Sequence, residues 1–179
     1  MHLSDINDQL SGTTSISVLI IEKTIYVCNV GDSRAIMMSV NSSMSPKLEV
    51  SADIAAAVGD KKRLLARPLS SDQTPYRKDE RERVIRRGAR VLTQDQIDGV
   101  KPITGNYEDM TLGDAIDEEG DPPRVWSTKG EYPGTAFTRS FGDYVAEQIG
   151  VFAEPEILTR LVFILSIIKL KLKVYRCMR

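Results

Sequence analysis

Apolar and β-branched residues fill Ser15 to Ile21 and again Thr24 to Val30, with only Glu22 and Lys23 between the two runs. Two strands joined by a two-residue connection account for that pattern, and the runs are apolar enough to predict that both strands are well buried. Gly31-Asp32-Ser33 then interrupts with three turn-forming residues, and Ala35 to Val40 resumes a strand-like run. The pattern therefore sets an acidic residue, Asp32, at a bend between strands.

Further along, Asn41 to Pro46 reads as a loop. Leu48 to Ala66 mixes Ala55-Ala56-Ala57, which favours helix, with Gly59-Asp60, which favours a turn, so neither element is assigned. Lys78 to Arg87 is highly charged and predicts a solvent-facing helix, with Asp79/Arg83 and Glu82/Arg86 spaced for i,i+4 pairing and Gly88 as its C-terminal cap. Ala89 to Leu92 is a short strand candidate. Asp98 to Pro133, rich in Gly, Pro and acidic residues, predicts a long excursion. Its acidic part, Asp114 to Asp121, lacks the alternating ligands and central Gly of a calcium-binding loop. Phe137, Phe141, Val145 and Ile149 recur at intervals of four and predict a helical segment over Thr135 to Ile149, bent at Gly142 and with one buried face.

From Leu158 to Arg179 the character changes. An apolar run, Leu161 to Ile168, passes into the alternating Ile168-Lys169-Leu170-Lys171-Leu172-Lys173-Val174. A run this short does not span a bilayer, so no stable membrane insertion is expected. An ordinary strand, a basic amphipathic tail on an anionic surface, and an aberrant or truncated terminus are the readings left open for it.

Composition narrows the chemistry. The chain has 179 residues, 41% hydrophobic and 27% charged, with a formal net charge of −1, which is the balance of a soluble globular protein and gives no reason to expect nucleic acid as a partner. Its two cysteines, Cys28 and Cys177, are too few and too far apart for a disulfide framework, so a reducing compartment is the default. The start of the chain is polar, with Asp5 and Asp8, and carries no export signal; a cytoplasmic or nuclear location is expected. The single histidine, His2, sits at a terminus. That excludes His-based triads and His-ligated zinc, and leaves carboxylate, hydroxyl, Arg and Lys chemistry with or without a hard metal.

Three segments in order then carry a resemblance: Ser11-Gly12-Thr13-Thr14, Val30-Gly31-Asp32-Ser33-Arg34-Ala35, and Thr138-Arg139-Ser140-Phe141-Gly142-Asp143. Leu69-Ser70-Ser71-Asp72-Gln73-Thr74-Pro75 links the second to the third, and Pro133-Gly134-Thr135-Ala136-Phe137 leads into the third. With this spacing over Ser11 to Ile157 the chain resembles the central part of the metal-dependent, type 2C family of Ser/Thr protein phosphatases. Within that family, Asp117 to Trp126 and Tyr132 to Asp143 most resemble plant and protist members that join the phosphatase to cyclic-nucleotide-binding and kinase domains.

The resemblance implies an α+β fold: a four-layer α-β-β-α sandwich of two antiparallel sheets flanked by helices, here incomplete at both ends. It divides the chain into a partial phosphatase domain, residues 1–157, and a divergent basic and apolar tail, 158–179. It also implies a phosphoprotein substrate and a site for two Mg²⁺ or Mn²⁺ ions, which lower the pKa of a bridging water so that no histidine nucleophile is needed. Asp32 matches the aspartate beside that metal centre; the alternative left open is a turn aspartate that only caps local backbone N–H groups. Gly31, Ser33, Arg34, Arg139 and Asp143 match residues that organise the site, and the region from Gly88 to Pro133 matches the family's variable flap.

The sequence departs from the pattern at the remaining metal and phosphate ligands. The family's Asp-Gly-His-Gly-Gly block with its metal-bridging aspartate, an upstream phosphate-binding arginine, and the later Asp-Gly and Asp-Asn pairs are not matched within the 179 residues. A cation held by one carboxylate stays mostly hydrated. The expectation is a phosphatase by family that is inactive as this chain alone, with no confident catalytic residue; the alternative is a catalytically silent module that binds phosphoproteins or a parent phosphatase.

Overall fold

The computed structural model describes residues 5–41, 63–103, 120–128, 130 and 132–161. Its strands are β1 (Gly12–Thr13), β2 (Ser15–Ile21), β3 (Thr24–Val30), β4 (Ile36–Asn41), β5 (Arg63–Pro68), β6 (Arg90–Leu92), β7 (Arg124–Trp126), β8 (Pro133–Thr135), β9 (Phe141–Gly142) and β10 (Glu156–Leu161). Its helices are α1 (Lys78–Arg86), α2 (Gln94–Ile97) and α3 (Tyr144–Glu147). The strands form four small sheets, in the orders β1-β9, β10-β3-β2, β4-β5 and β6-β7-β8, and every strand pair is antiparallel. The expected antiparallel α+β class holds.

The predicted hairpin is present with its predicted limits. β2 and β3 pair from Ser15↔Val30 to Ile21↔Thr24, and Glu22 takes the left-handed backbone (φ 52°) that a two-residue hairpin turn requires. The expected burial is not uniform. β3 buries Ile25, Val27 and Asn29, whereas Leu19 and Ile21 of β2 are exposed, and Ile20, on the core face opposite Ile25, is half-exposed near the hairpin end. The physical reason is that the sheet packs one face on a core of Ile25, Val27, Ala35 and Leu69, flanked by Ile16, Val18, Met37 and Leu158. Period-2 alternation sends Leu19, Ile21, Tyr26, Ile157 and Leu161 to the other side, and no described residue covers them.

A second core unites Val84 of α1, Ala89, Val91, Val125, Phe137, Ala146 and Val151, with Ile149 packed against it. It corrects three expectations. α1 is not simply solvent-facing, because Glu80, Arg81 and Val84 are buried. Gly88 does follow its end with a left-handed φ of 91°. Within residues 98–133, expected as one long excursion, Arg124–Trp126 is a strand that pairs with β6 from Arg90↔Trp126 to Leu92↔Arg124. The stripe at intervals of four is not one helix: Phe137 is buried, Phe141 lies exposed in β9, and only Tyr144–Glu147 is helical. Gly142, at φ 75°, and Asp143, at φ 59°, both left-handed, break the run.

β10 extends the hairpin sheet from Glu156↔Asn29 to Leu161↔Thr24, so it runs across the tail boundary expected at residue 157. Of the unassigned stretch Leu48 to Ala66, Arg63 to Ala66 belongs to β5; residues 48–62, most of the acidic section 114–121, and the alternating basic tail lie outside the described residues.

Candidate functional site

The centre of the candidate site is the turn between β3 and β4. Gly31 has φ 98°, and a Cβ on it would fall 2.3 Å from Thr14 Cγ2 and 3.1 Å from the Arg139 carbonyl oxygen. Only glycine fits a backbone so oriented and so closely approached. Next to it, Asp32 is half-buried. Ser33 is buried, and its Oγ shares a 2.8 Å hydrogen bond with Thr14 Oγ1. Arg34 reaches outward as a two-pronged donor to Asp72, Nε to Oδ1 at 2.9 Å and Nη2 to Oδ2 at 2.6 Å. The Asp72 carboxylate, with Asp32 adding a smaller attraction, holds the Arg34 guanidinium above its ordinary pKa.

Gln73 ties this turn to the Thr138-Arg139 segment. It is fully buried. Its Oε1 accepts from the Gly31 N–H at 2.6 Å, its Nε2 donates to the Asn29 carbonyl at 3.3 Å, and its own backbone links the Gly31 carbonyl, at 3.1 Å, to the Thr138 N–H, at 2.8 Å. Asn29, also buried, donates from Nδ2 to the carbonyls of Gly31 and Ser71. One glutamine thus joins the Gly31-Asp32-Ser33 turn to a segment that follows it only much later in the chain.

Behind that segment lies a buried charge. Glu80 is fully buried on the inner face of α1. Its carboxylate accepts from Thr138 Oγ1 and pairs with Arg83 and Arg139, each at 2.6 Å. Burial works against the charge, and the hydrogen bonds from Arg83, Arg139 and Thr138 outweigh it, so Glu80 titrates below the usual carboxylate range. Arg77 pairs with Asp79 and with Glu156, and Arg139 also donates to the Glu154 carbonyl at 2.7 Å. The pairing predicted from spacing is replaced: Asp79 turns to Arg77, Arg83 to Glu80, and Glu82 lies 3.8 Å from Lys78.

Carboxylate oxygens of Asp79, Glu80 and Glu156 lie within 4.8 Å of one another, a spacing that could hold a cation. Guanidinium groups already occupy them, so a metal would have to displace Arg77, Arg83 and Arg139. This donor set fits an ion-pair network better than a metal centre. Asp32 is a different case, because a half-exposed carboxylate on a rigid turn offers a hard cation one oxygen ligand of the right kind.

Asp143 stands apart from the turn. It is buried, its backbone N–H donates to the Ser11 carbonyl at 2.8 Å, and burial pushes its carboxyl up to about 6. Of the residues singled out from sequence, Gly31, Asp32, Ser33 and the Arg139 backbone come together, Arg34 points to Asp72, and the Arg139 side chain serves Glu80. Sequence reasoning missed Gln73 and Glu80 as links. The spacing of Arg77, Glu80, Arg81 and Val84 was the available signal for a buried face on α1, but three of the four are charged.

The fold resembles that of a solved phosphatase. A serine-threonine phosphatase 2C from Toxoplasma gondii superposes with a TM-score of 0.54 at 18% identity, covering 87% of this chain and 39% of that chain. The chain matches Protein phosphatase 2C over residues 1–162 and belongs to that metal-dependent family. It is 50% identical over 157 residues to Probable protein phosphatase 2C 35 of Arabidopsis thaliana, covering 88% of this chain and 38% of the relative. It is 30% identical over 159 residues to Probable protein phosphatase 2C 73 of the same plant, covering 89% and 32%. The chain therefore spans well under half the length of these relatives.

Proposed function

We propose that this chain is the central part of a Ser/Thr phosphoprotein phosphatase domain and that Asp32 lends one ligand to its Mg²⁺ or Mn²⁺ site. The observation that carries this reading is the Asp32 turn itself, which Gly31, Ser33 and Gln73 hold in a single backbone geometry. When bound, the metal supplies an activated water for attack on a phosphoserine or phosphothreonine phosphorus. The chain's own residues do the positioning. Gln73 fixes the turn, Thr14 braces Ser33, and Arg34 anchors the outer side through Asp72.

One carboxylate does not hold a hard dication firmly, so turnover requires ligands beyond those matched in these 179 residues. Gly31, Ser33, Arg34, Arg139 and Asp143 act as organising residues, and residues 1–157 act as the phosphatase part. Among the described residues, no helix is long and apolar enough to cross a membrane; a cytoplasmic or nuclear setting fits the reading. Kinase and cyclic-nucleotide-binding domains in a longer parent protein remain part of it.

The test is hydrolysis of a phosphothreonine peptide by the purified chain, with and without millimolar Mn²⁺, beside Asp32→Ala. The expected result is negligible turnover by the chain alone. Mn²⁺-dependent turnover that disappears in Asp32→Ala would show that the chain completes the site by itself. Tight, stoichiometric binding of intact phosphoprotein without turnover would favour the silent binding module.

A further inference from the structure

The residues ahead of β1 are strapped across the end of the Thr138-Arg139 segment. The backbone N–H groups of Asp143, Tyr144 and Val145 donate to the carbonyls of Ser11, Asp8 and Gln9 at 2.8, 2.9 and 3.1 Å. β1 adds the pairs Gly12↔Gly142 and Thr13↔Phe141. Asp143 lies beneath this strap, only 4% exposed. Its left-handed backbone (φ 59°) stands at the N-cap of α3, yet its side chain makes no capping hydrogen bond. A Cβ on Gly12 would come within 2.9 Å of Asp143 Cβ, so strap and side chain are in direct contact.

Asp143 Oδ1 is buried without a hydrogen-bond partner among the described residues. Burial of an ionised carboxylate in that state is costly, whereas a neutral carboxylic acid tolerates it far better. We propose that residues 8–13 form a pH-sensitive latch, closed more firmly when the Asp143 carboxyl is protonated and loosened when it is ionised. The titratable side chains on the elements packed here are Asp8 on the strap and Tyr144 and Glu147 on α3; β1, β8 and β9 carry none. Burial alone pushes the Asp143 carboxyl up to about 6 from an ordinary 3.8.

The latch leads into the candidate site. Thr14, directly after β1, holds Ser33 beside Asp32, so loosening residues 8–13 slackens one support of that turn. Opening the strap returns the carboxyl to its ordinary value, and proton linkage between about 6 and 3.8 makes closure about tenfold more favourable at pH 5 than at pH 7.5. The inference stands whether or not the chain is a phosphatase, because its test reads backbone amides.

That test is hydrogen exchange at the Tyr144 and Val145 amides, corrected for intrinsic rates, at pH 7.5 and pH 5. Protection is expected to rise about tenfold toward pH 5 in the native chain, to stay flat in Asp143→Asn, and to keep its pH dependence in Asp8→Asn. A ¹³C titration of the native Asp143 carboxyl checks the same point without a variant. Flat protection in the native chain, an undiminished pH dependence in Asp143→Asn, or a carboxyl titrating near its ordinary value would each overturn the proposal.

Discussion

Gln73 holds both backbone polar groups of Gly31: its Oε1 accepts the Gly31 N–H at 2.6 Å, and its own N–H donates to the Gly31 carbonyl at 3.1 Å. Because Gln73 is fully buried, no water replaces what its side chain supplies. Gln73→Leu keeps the bulk and removes the acceptor, leaving the Gly31 N–H and Asn29 carbonyl short of a partner. The expected loss is roughly 1–3 kcal/mol in urea unfolding, with faster exchange of the Gly31 amide. A loss of a few tenths would mean that Asn29 and Ser33 fix the turn without it.

Gly31→Ala probes the same turn from the backbone side. The residue sits at φ 98°, and the new methyl would meet Thr14 Cγ2 at 2.3 Å. Backbone strain and overpacking together are expected to cost roughly 2–4 kcal/mol. Adding Thr14→Ser removes Cγ2 and keeps the hydroxyl that bonds Ser33. The pair should therefore recover part of the loss in a double-mutant cycle, and strict additivity would show that the methyl contact contributes nothing.

What the sequence made legible follows from the range of the interactions. The β2–β3 hairpin depends on alternation and a two-residue turn, both local, and its limits are read directly. The Gly31-Asp32-Ser33 turn is legible for the same reason. Glu80 is not, because its burial depends on Arg139, 59 positions away, and a charged residue in a charged run gives no hint of an inward face. The Phe stripe misled because intervals of four also arise in a chain that turns at Gly142 and Asp143, where two left-handed residues end any helix. Exposure of Leu19 was hidden by a different limit: apolar character does not say whether a covering layer is present.

That exposed face yields its own prediction. Leu19 pairs with Tyr26, which pairs in turn with Thr159 of β10, and Leu19, Ile157 and Leu161 are 58%, 69% and 66% exposed. An apolar sheet face of this kind favours association. Leu19→Thr with Ile157→Thr is expected to shift the chain toward monomer in sedimentation velocity, while changing stability by no more than about 0.5 kcal/mol per site. Unchanged association would place the contact elsewhere.

Glu80 and Asp143 act on stability in opposite pH windows. Asp143 has its carboxyl raised to about 6, so its contribution is present at low pH and is lost as pH rises through that value. Glu80 is held below its ordinary 4.5, so its contribution is present above 4.5 and is lost as pH falls through its folded value. Stability should therefore rise modestly from pH 7.5 toward pH 5 and fall below pH 4.5. Glu80→Gln leaves the half-buried Arg83 and Arg139 without their shared counter-charge, although Arg139 keeps Glu156 at 3.5 Å, and the expected loss at pH 7 is roughly 1.5–3 kcal/mol. The same variant should flatten the acid limb, since its titrating group is gone, and Asp143→Asn should remove the rise between pH 7.5 and pH 5. Urea midpoints for the native chain and both variants at pH 7.5, 5 and 3.5 separate the two groups. An acid limb as steep in Glu80→Gln as in the native chain would assign acid unfolding to other carboxylates, with Asp79, held at about 2 by Arg77, the first to examine.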